Sequence, residues 1–158
     1  MVRTPKGMTY PKWNIWANLQ FATTTAMVML HDAHYNKDAK QRGAEIRYAQ
    51  RQVDYALGST GRSYVVGWGA SPPVNWYHAA ASCPDAPELC DVQNRYMKPN
   101  NPQTLYGALV GGPPGVRRNK TNPDYYLDLR TDFVVSEPAI HIQAGFVGAL
   151  AGVYALAT

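Results

Sequence analysis

From Ser59 to Asn101 the chain keeps no hydrophobic period beyond the brief Ser63-Tyr64-Val65-Val66 run, and Pro, Gly, Asn and aromatic residues dominate. An aperiodic stretch of that length inside a compact domain is usually functional. It argues against a closed helical bundle with short connections. Helices in this chain must be joined by loops long enough to carry a site.

Two segments ahead of that stretch follow the helical period. Trp16, Leu19, Ala22, Ala26, Met29 and Leu30 predict a long helix from Trp13 to His34, broken by Asn36-Lys37-Asp38. From Ala39 to Leu57 the positions Ile46, Ala49, Val53, Ala56 and Leu57 recur between charged residues, and Gly58 stands just past the end as a stop. Further on, Leu105 to Val110 reads as a short apolar helix ended by Gly111-Gly112-Pro113-Pro114, and a polar loop runs to about Phe133. A last helix spans about Pro138 to Ala157, with Gly145, Gly148 and Gly152 on one side, where a neighbouring helix can approach closely. The fold class is all-α, about four helices with long loops. A terminal helix apolar nearly all round belongs to part of a larger helical array. No repeat, low-complexity tract or linker divides residues 1–158.

Composition narrows the function classes. An apolar content of 46% with 11% aromatic residues is enough for a core and argues against disorder. The net charge of +4 comes from scattered residues, and the one short cluster, Arg117-Arg118 with Lys120, lacks the interleaved aromatics of a nucleic-acid groove. No nucleic-acid partner is expected. Ala144 to Thr158 is the most apolar run and is too short to span a bilayer, so no membrane partner is expected either. Cys83 and Cys90 fit a small loop disulfide or, alternatively, two separate thiols. Asn119-Lys120-Thr121 is an acceptor pattern for N-glycosylation. Together these features lean toward a secreted, extracellular protein whose leader has been removed. His31 and His34 lie three apart with no third ligand nearby, which is too little for a metal site, and no cofactor is implied.

The loop residues carry a specific resemblance. Gln52-Val53-Asp54-Tyr55-Ala56-Leu57-Gly58, Gly61-Arg62-Ser63-Tyr64-Val65-Val66-Gly67-Trp68-Gly69 and Pro72-Pro73 appear in order. Ala80-Ala81-Ser82-Cys83-Pro84-Asp85, Leu105-Tyr106-Gly107-Ala108-Leu109-Val110-Gly111-Gly112-Pro113 and Ala144-Gly145-Phe146-Val147-Gly148-Ala149-Leu150 follow. From about Thr4 to its last residue the chain resembles the C-terminal part of the catalytic domain of glycoside hydrolase family 9, the endo-β-1,4-glucanases. The resemblance implies part of an (α/α)6 barrel, six inner and six outer helices, of which the last third or so is present. It implies β-1,4-glucan as partner, and the cysteine pair is of the kind seen in animal and related members.

Inverting glycosidases need an acid to protonate the leaving oxygen and a base to activate water on the far face. The family's acid motif is met by Tyr126-x-Asp128, then Phe133 and, four residues on, Glu137. The resemblance makes Glu137 the general acid and has Asp128 help hold the loop and the sugar, with Tyr126 and Arg130 among the substrate-binding residues. Read without it, Glu137 also fits a carboxylate at a helix start with Pro138 in the first turn.

The departures are as specific as the matches. Where the family reads Pro-His-His-Arg, this chain has Trp76-Tyr77-His78-Ala79, so Tyr77 can stack and donate one hydrogen bond while Ala79 replaces a forked donor. The loop Pro114-Gly115-Val116-Arg117-Arg118-Asn119-Lys120 is longer and more basic than the family's, Leu129 stands for its second acidic residue and Gln143 for its Asn after the acid. The family's base motif, Asp-Ala-Gly-Asp, does not occur, and Asp32, Asp85 and Asp124 sit in no such pattern. Among aromatics that offer faces to sugar rings (Trp68, Trp76, Tyr64, Tyr77, Tyr96 and Tyr106), Trp68, Trp76 and Tyr77 rank first, with His78 beside them. Two readings follow. One is a glucanase-like polypeptide that supplies the acid-bearing part of a groove and needs a complementary N-terminal glucanase portion. The other is a catalytically inactive relative that binds glucan or assembles with partners, copies of itself included.

Overall fold

The computed structural model describes residues 1–93 and 100–157. The long elements are α1 (Asn18–Tyr35), α2 (Ala39–Leu57) and α5 (Ile140–Ala157); α3 (Gly115–Arg118) and α4 (Phe133–Ser136) are single turns, and a 3-10 turn covers Ala80–Ser82. A small antiparallel hairpin, β1 (Val2–Arg3) with β2 (Thr9–Tyr10), precedes them and pairs Val2 with Tyr10 and Arg3 with Thr9.

The limits of α2 follow from local chemistry. Asp38 caps its start by accepting the N–H groups of Lys40 at 2.9 Å and Gln41 at 3.1 Å. At the other end Gly58 takes a left-handed φ of 112° and donates to the carbonyls of Asp54 and Tyr55.

The start of α1 is set from afar, so the helix begins at Asn18 and not at Trp13 as the periodicity suggests. Ala17 is left-handed, with φ 48°. It is held there by donating its N–H to the Val134 carbonyl, while Leu19 donates to Gly111. Two segments distant in sequence thereby satisfy N–H groups at the start of the helix.

The α1–α5 seam depends on missing side chains. A Cβ on Gly145 would lie 2.3 Å from Thr24 Oγ1, one on Gly148 2.3 Å from Met27 Sδ and one on Gly152 3.0 Å from Leu30 Cβ. The helices approach as the glycine spacing predicts. Beside this seam Ala26, Leu30, Ala49, Val53 and Ala149 form one core cluster, joining α2 to the pair. A larger cluster, with Met8, Tyr10, Leu19, Tyr55, Val66, Trp76, Leu109 and Phe146, lies where the loops cross the helices. Away from the seam, α5 leaves Ile140 91% and Val147 53% exposed. No described helix is long and apolar enough to cross a membrane.

The expected helix over 105–110 is not formed. Leu109 bridges Val65 and Val110 bridges Pro138 in extended backbone. The N–H groups of Val66, Gly107 and Val110 bond Ala108, Val66 and Tyr64 carbonyls across that ladder. Six residues make too short a helix to outweigh such pairing.

Candidate functional site

The site grows from a buried carboxylate. Asp124 accepts the Thr4 hydroxyl at 2.5 Å, the Tyr55 hydroxyl at 2.7 Å and the Lys6 N–H at 2.9 Å. Tyr55 stacks on Tyr64 at 5.5 Å, and Tyr64 meets Tyr126 edge-on at 5.4 Å, with the Arg62 guanidinium 5.2 Å from the Tyr126 ring. Burial pushes the Tyr64 hydroxyl up to about 12. Tyr126 is raised well beyond its ordinary value, by burial first and then by the charge of Asp128.

Tyr126 passes this rigidity to the loop that carries Tyr77. Its hydroxyl donates to Asp128 Oδ1 at 3.2 Å, and Asp128 Oδ2 accepts the backbone N–H of Val74 at 2.7 Å and Asn75 at 3.1 Å. Asn101 closes the other side: its N–H bonds the Val74 carbonyl, its Nδ2 the Trp76 carbonyl, and its Oδ1 accepts Arg130 Nε. Arg130 also reaches Asn75 Oδ1 at 3.4 Å. Burial lowers the Arg130 pKa, opposed by the Asp128 charge.

The loop so fixed is tied to the acid position. Tyr77 donates its N–H to the Ser136 carbonyl at 3.1 Å, and its ring lies 5.9 Å from that of Phe133. Glu137 follows directly, in extended backbone at the end of α4. Since α5 starts at Ile140, Glu137 and Pro138 both precede the helix, and a Glu-Pro helix start is not what the structure forms. The Glu137 carboxylate is partly exposed and accepts no hydrogen bond among the described residues.

Pro138, the residue after Glu137, helps line a cleft of about 550 Å³ walled also by His78, Tyr106, Ala108, Ile140 and Gln143. Gln143 holds that wall in place, accepting the Leu109 N–H at 2.8 Å and donating to the Gly107 carbonyl at 3.1 Å. His78 is exposed and its Nδ1 accepts the Ala81 N–H at 3.2 Å. Trp68 is 59% and Tyr106 79% exposed, and the Tyr106 ring lies over Gly67, where a Cβ would come within 2.4 Å of it.

Burial separates the expected contact residues. Trp76 is 2% exposed and belongs to the core, so its face is closed to a sugar. Arg130 at 8% and Tyr126 at 7% are likewise buried, with their polar atoms spent on Asn101, Asn75 and Asp128; they brace the loop from beneath. Tyr64 is buried in the tyrosine stack, and Tyr96 lies outside the described residues. Trp68, Tyr77 and His78 remain at the surface, and Asp128 holds the loop. Asn101 and Asn75 carry no motif; an Asn flanked by Asn and Pro is only a turn signal in sequence.

None of the three isolated aspartates has the setting of a base beside Glu137. Asp124 is buried under three donors, Asp32 accepts from Asn36 at the end of α1, and Asp85 accepts from Gln103. Cys83 and Cys90 form a disulfide. His31 and His34 both contact the Tyr35 ring, and among the described residues no three His, Cys, Asp or Glu side chains are grouped to hold a metal.

Comparison with known proteins bears on the family and the fold. The family model described as Glycosyl hydrolase family 9 matches residues 1–150. Endoglucanase B of Cellulomonas fimi is 37% identical over 139 residues, covering 86% of this chain and 12% of that protein. Endoglucanase 1 of Persea americana is 34% identical over 167 residues, 94% of this chain and 32% of that protein. The endoglucanase structure from the termite Nasutitermes takasagoensis superposes with a TM-score of 0.86 at 40% identity, covering 99% of this chain and 33% of that one. Endoglucanase CelQ from Clostridium thermocellum, complexed with cellotriose, gives 0.80 at 36% identity, over 96% of this chain and 24% of that one. The chain thus spans a third or less of the length of these relatives.

Proposed function

The chain belongs to glycosyl hydrolase family 9, and from that premise we propose that it forms the general-acid side of a β-1,4-glucan groove in an extracellular, cellulose-hydrolysing glucanase. Its fold is all-α, a part of the (α/α)6 barrel. The observation that carries the proposal is the hydrogen bond from the Tyr77 N–H to the Ser136 carbonyl, which joins the Tyr77 loop to the residue before Glu137, beside a cleft whose wall includes His78 and Pro138.

In this reading Glu137 protonates the leaving glycosidic oxygen. Tyr77, His78 and Trp68 line the sugar path, with Tyr106 on the cleft wall, and Asp128, Asn101 and Arg130 hold the loop in register. Pre-positioned donors of this kind act because they need not reorganise as the bond breaks. The base that activates water on the opposite face comes from a complementary N-terminal portion, either the rest of a longer polypeptide or a second chain. That portion also covers the exposed Ile140 and Val147 on α5.

Ala79 favours a second reading. With a methyl group where the family places a guanidinium, transition-state contacts worth a few kcal/mol are lost, and a glucan-binding or assembly role without hydrolysis follows. Two measurements separate these. Light scattering with mass spectrometry of the native particle gives its chains: one bearing an Asp-Ala-Gly-Asp motif supports the glucanase reading, and this chain alone or with copies of itself refutes it. On the assembled particle, Glu137→Gln should abolish cellulose hydrolysis and leave glucan binding nearly unchanged. Hydrolysis that survives the substitution removes Glu137 from its role.

A further inference from the structure

One loop motif has no part in the groove. Asn119 ends α3 in extended backbone, with φ −138° and ψ 96°, and Lys120, Thr121 and Asn122 after it are exposed. Its side-chain oxygen accepts two hydrogen bonds, from the Thr121 hydroxyl at 3.1 Å and from the Asn122 N–H at 2.8 Å. Its amide nitrogen donates to no acceptor among the described residues. The oxygen is therefore anchored by the hydroxyl two residues on while the nitrogen is left open. The Cys83–Cys90 disulfide adds an independent observation, because such bonds persist in oxidising compartments, where oligosaccharide is also transferred to Asn-x-Thr.

We infer that Asn119 is an N-glycosylation site. Its Nδ2 forms a bond to C1 of the reducing-end sugar of a lipid-diphosphate-linked oligosaccharide. The bond from C1 to the diphosphate oxygen breaks, and the lipid diphosphate leaves with the electron pair. The amide proton passes to a base of the transferase, and nothing is oxidised or reduced. A glycan at this position keeps α3 and residues 117–122 facing solvent. It follows, on the proposed glucanase reading, that the complementary portion docks elsewhere, against the Ile140 and Val147 face of α5.

The test expresses the full chain behind a secretion leader in a eukaryotic host and measures intact mass before and after peptide-N-glycosidase, on secreted and lumenal material alike. Wild type should carry one glycan, whose removal converts Asn119 to Asp. Asn119→Gln and Thr121→Ala should lose it completely, and Thr121→Ser, which keeps the hydroxyl, should retain it. A wild-type chain that reaches the lumen with Asn119 unmodified overturns the inference. A glycosylated chain that cannot join the complementary portion, where the unglycosylated one can, overturns only the assignment of the solvent-facing rim.

Discussion

Replacing Asp124 by Ala tests the foundation of the site. The carboxylate is buried and receives two hydroxyl donors, from Thr4 and Tyr55, and one backbone donor, from Lys6. Hydrogen bonds to a charged group contribute about 1.5–3 kcal/mol each. The Lys6 N–H is only part-buried and regains water, but Tyr55 is 1% exposed and its hydroxyl loses its carboxylate acceptor, keeping only Tyr64 beside it. Counting the two buried bonds, Asp124→Ala should cost about 3–6 kcal/mol. With a urea slope of about 2 kcal/mol per molar, the unfolding midpoint should fall by about 1.5–3 M. Tyr55→Phe removes one donor and leaves the carboxylate two, so it should cost only about 1 kcal/mol. The double variant should be clearly less destabilised than the sum of the singles, because the two share one interaction. A midpoint shift under about 0.5 M for Asp124→Ala, or strict additivity in the pair, would refute the network as the support of the Tyr126–Asp128 loop.

Alkaline pH attacks the same stack. Tyr55, Tyr64 and Tyr126 have raised pKa values, so above about pH 10 the unfolded chain releases protons that the folded chain keeps. Stability should be intact below pH 10 and fall between there and about 12, by about 1.4 kcal/mol per pH unit for each of the three. Urea midpoints followed with tyrosinate absorbance check this, and smooth ionisation of all tyrosines near pH 10 with the fold retained would contradict it. Asp128→Ala should raise amide hydrogen exchange at Val74 and Asn75 by more than about tenfold, since it removes their acceptor. Protection unchanged at both would show that Asn101 alone holds the loop. In the seam, Gly145→Ala should cost about 3 kcal/mol, because its Cβ meets Thr24 backbone at 2.9 Å. Gly148→Ala should cost less, its nearest contact being the flexible end of Met27; equal thermal shifts would contradict this.

What the sequence reveals divides along the reach of the forces involved. The ends of α2 are legible because Asp38 and Gly58 act on their nearest neighbours. The start of α1 is not, because Ala17 is held left-handed by the Val134 carbonyl of α4. The 105–110 segment misleads for the same reason, its apolar residues pairing with 63–66 across some forty intervening positions. Within the site, the family motif points to Glu137 and Asp128 and the departure from it to Tyr77, yet residue type cannot separate an exposed tryptophan from one that fills the core. Trp68 and Trp76 differ only in burial, a tertiary property. Asn101 had no signal beyond that of a turn, since its three bonds join segments that only the fold brings together.

The glycine seam has a consequence for synthesis. The surface of α1 that receives Gly145, Gly148 and Gly152 is complete once residue 35 is made, but its partner is encoded more than a hundred residues later. At a ribosomal rate of about 5–20 residues per second, Thr24, Met27 and Leu30 wait on the order of ten seconds for cover. During that interval the nascent chain presents a helical strip that α2 covers on one side only. Chaperone binding should therefore concentrate on α1, and a ribosome stalled before α5 should leave a chain prone to aggregate. Faster elongation through residues 59–139 should raise the yield of folded protein.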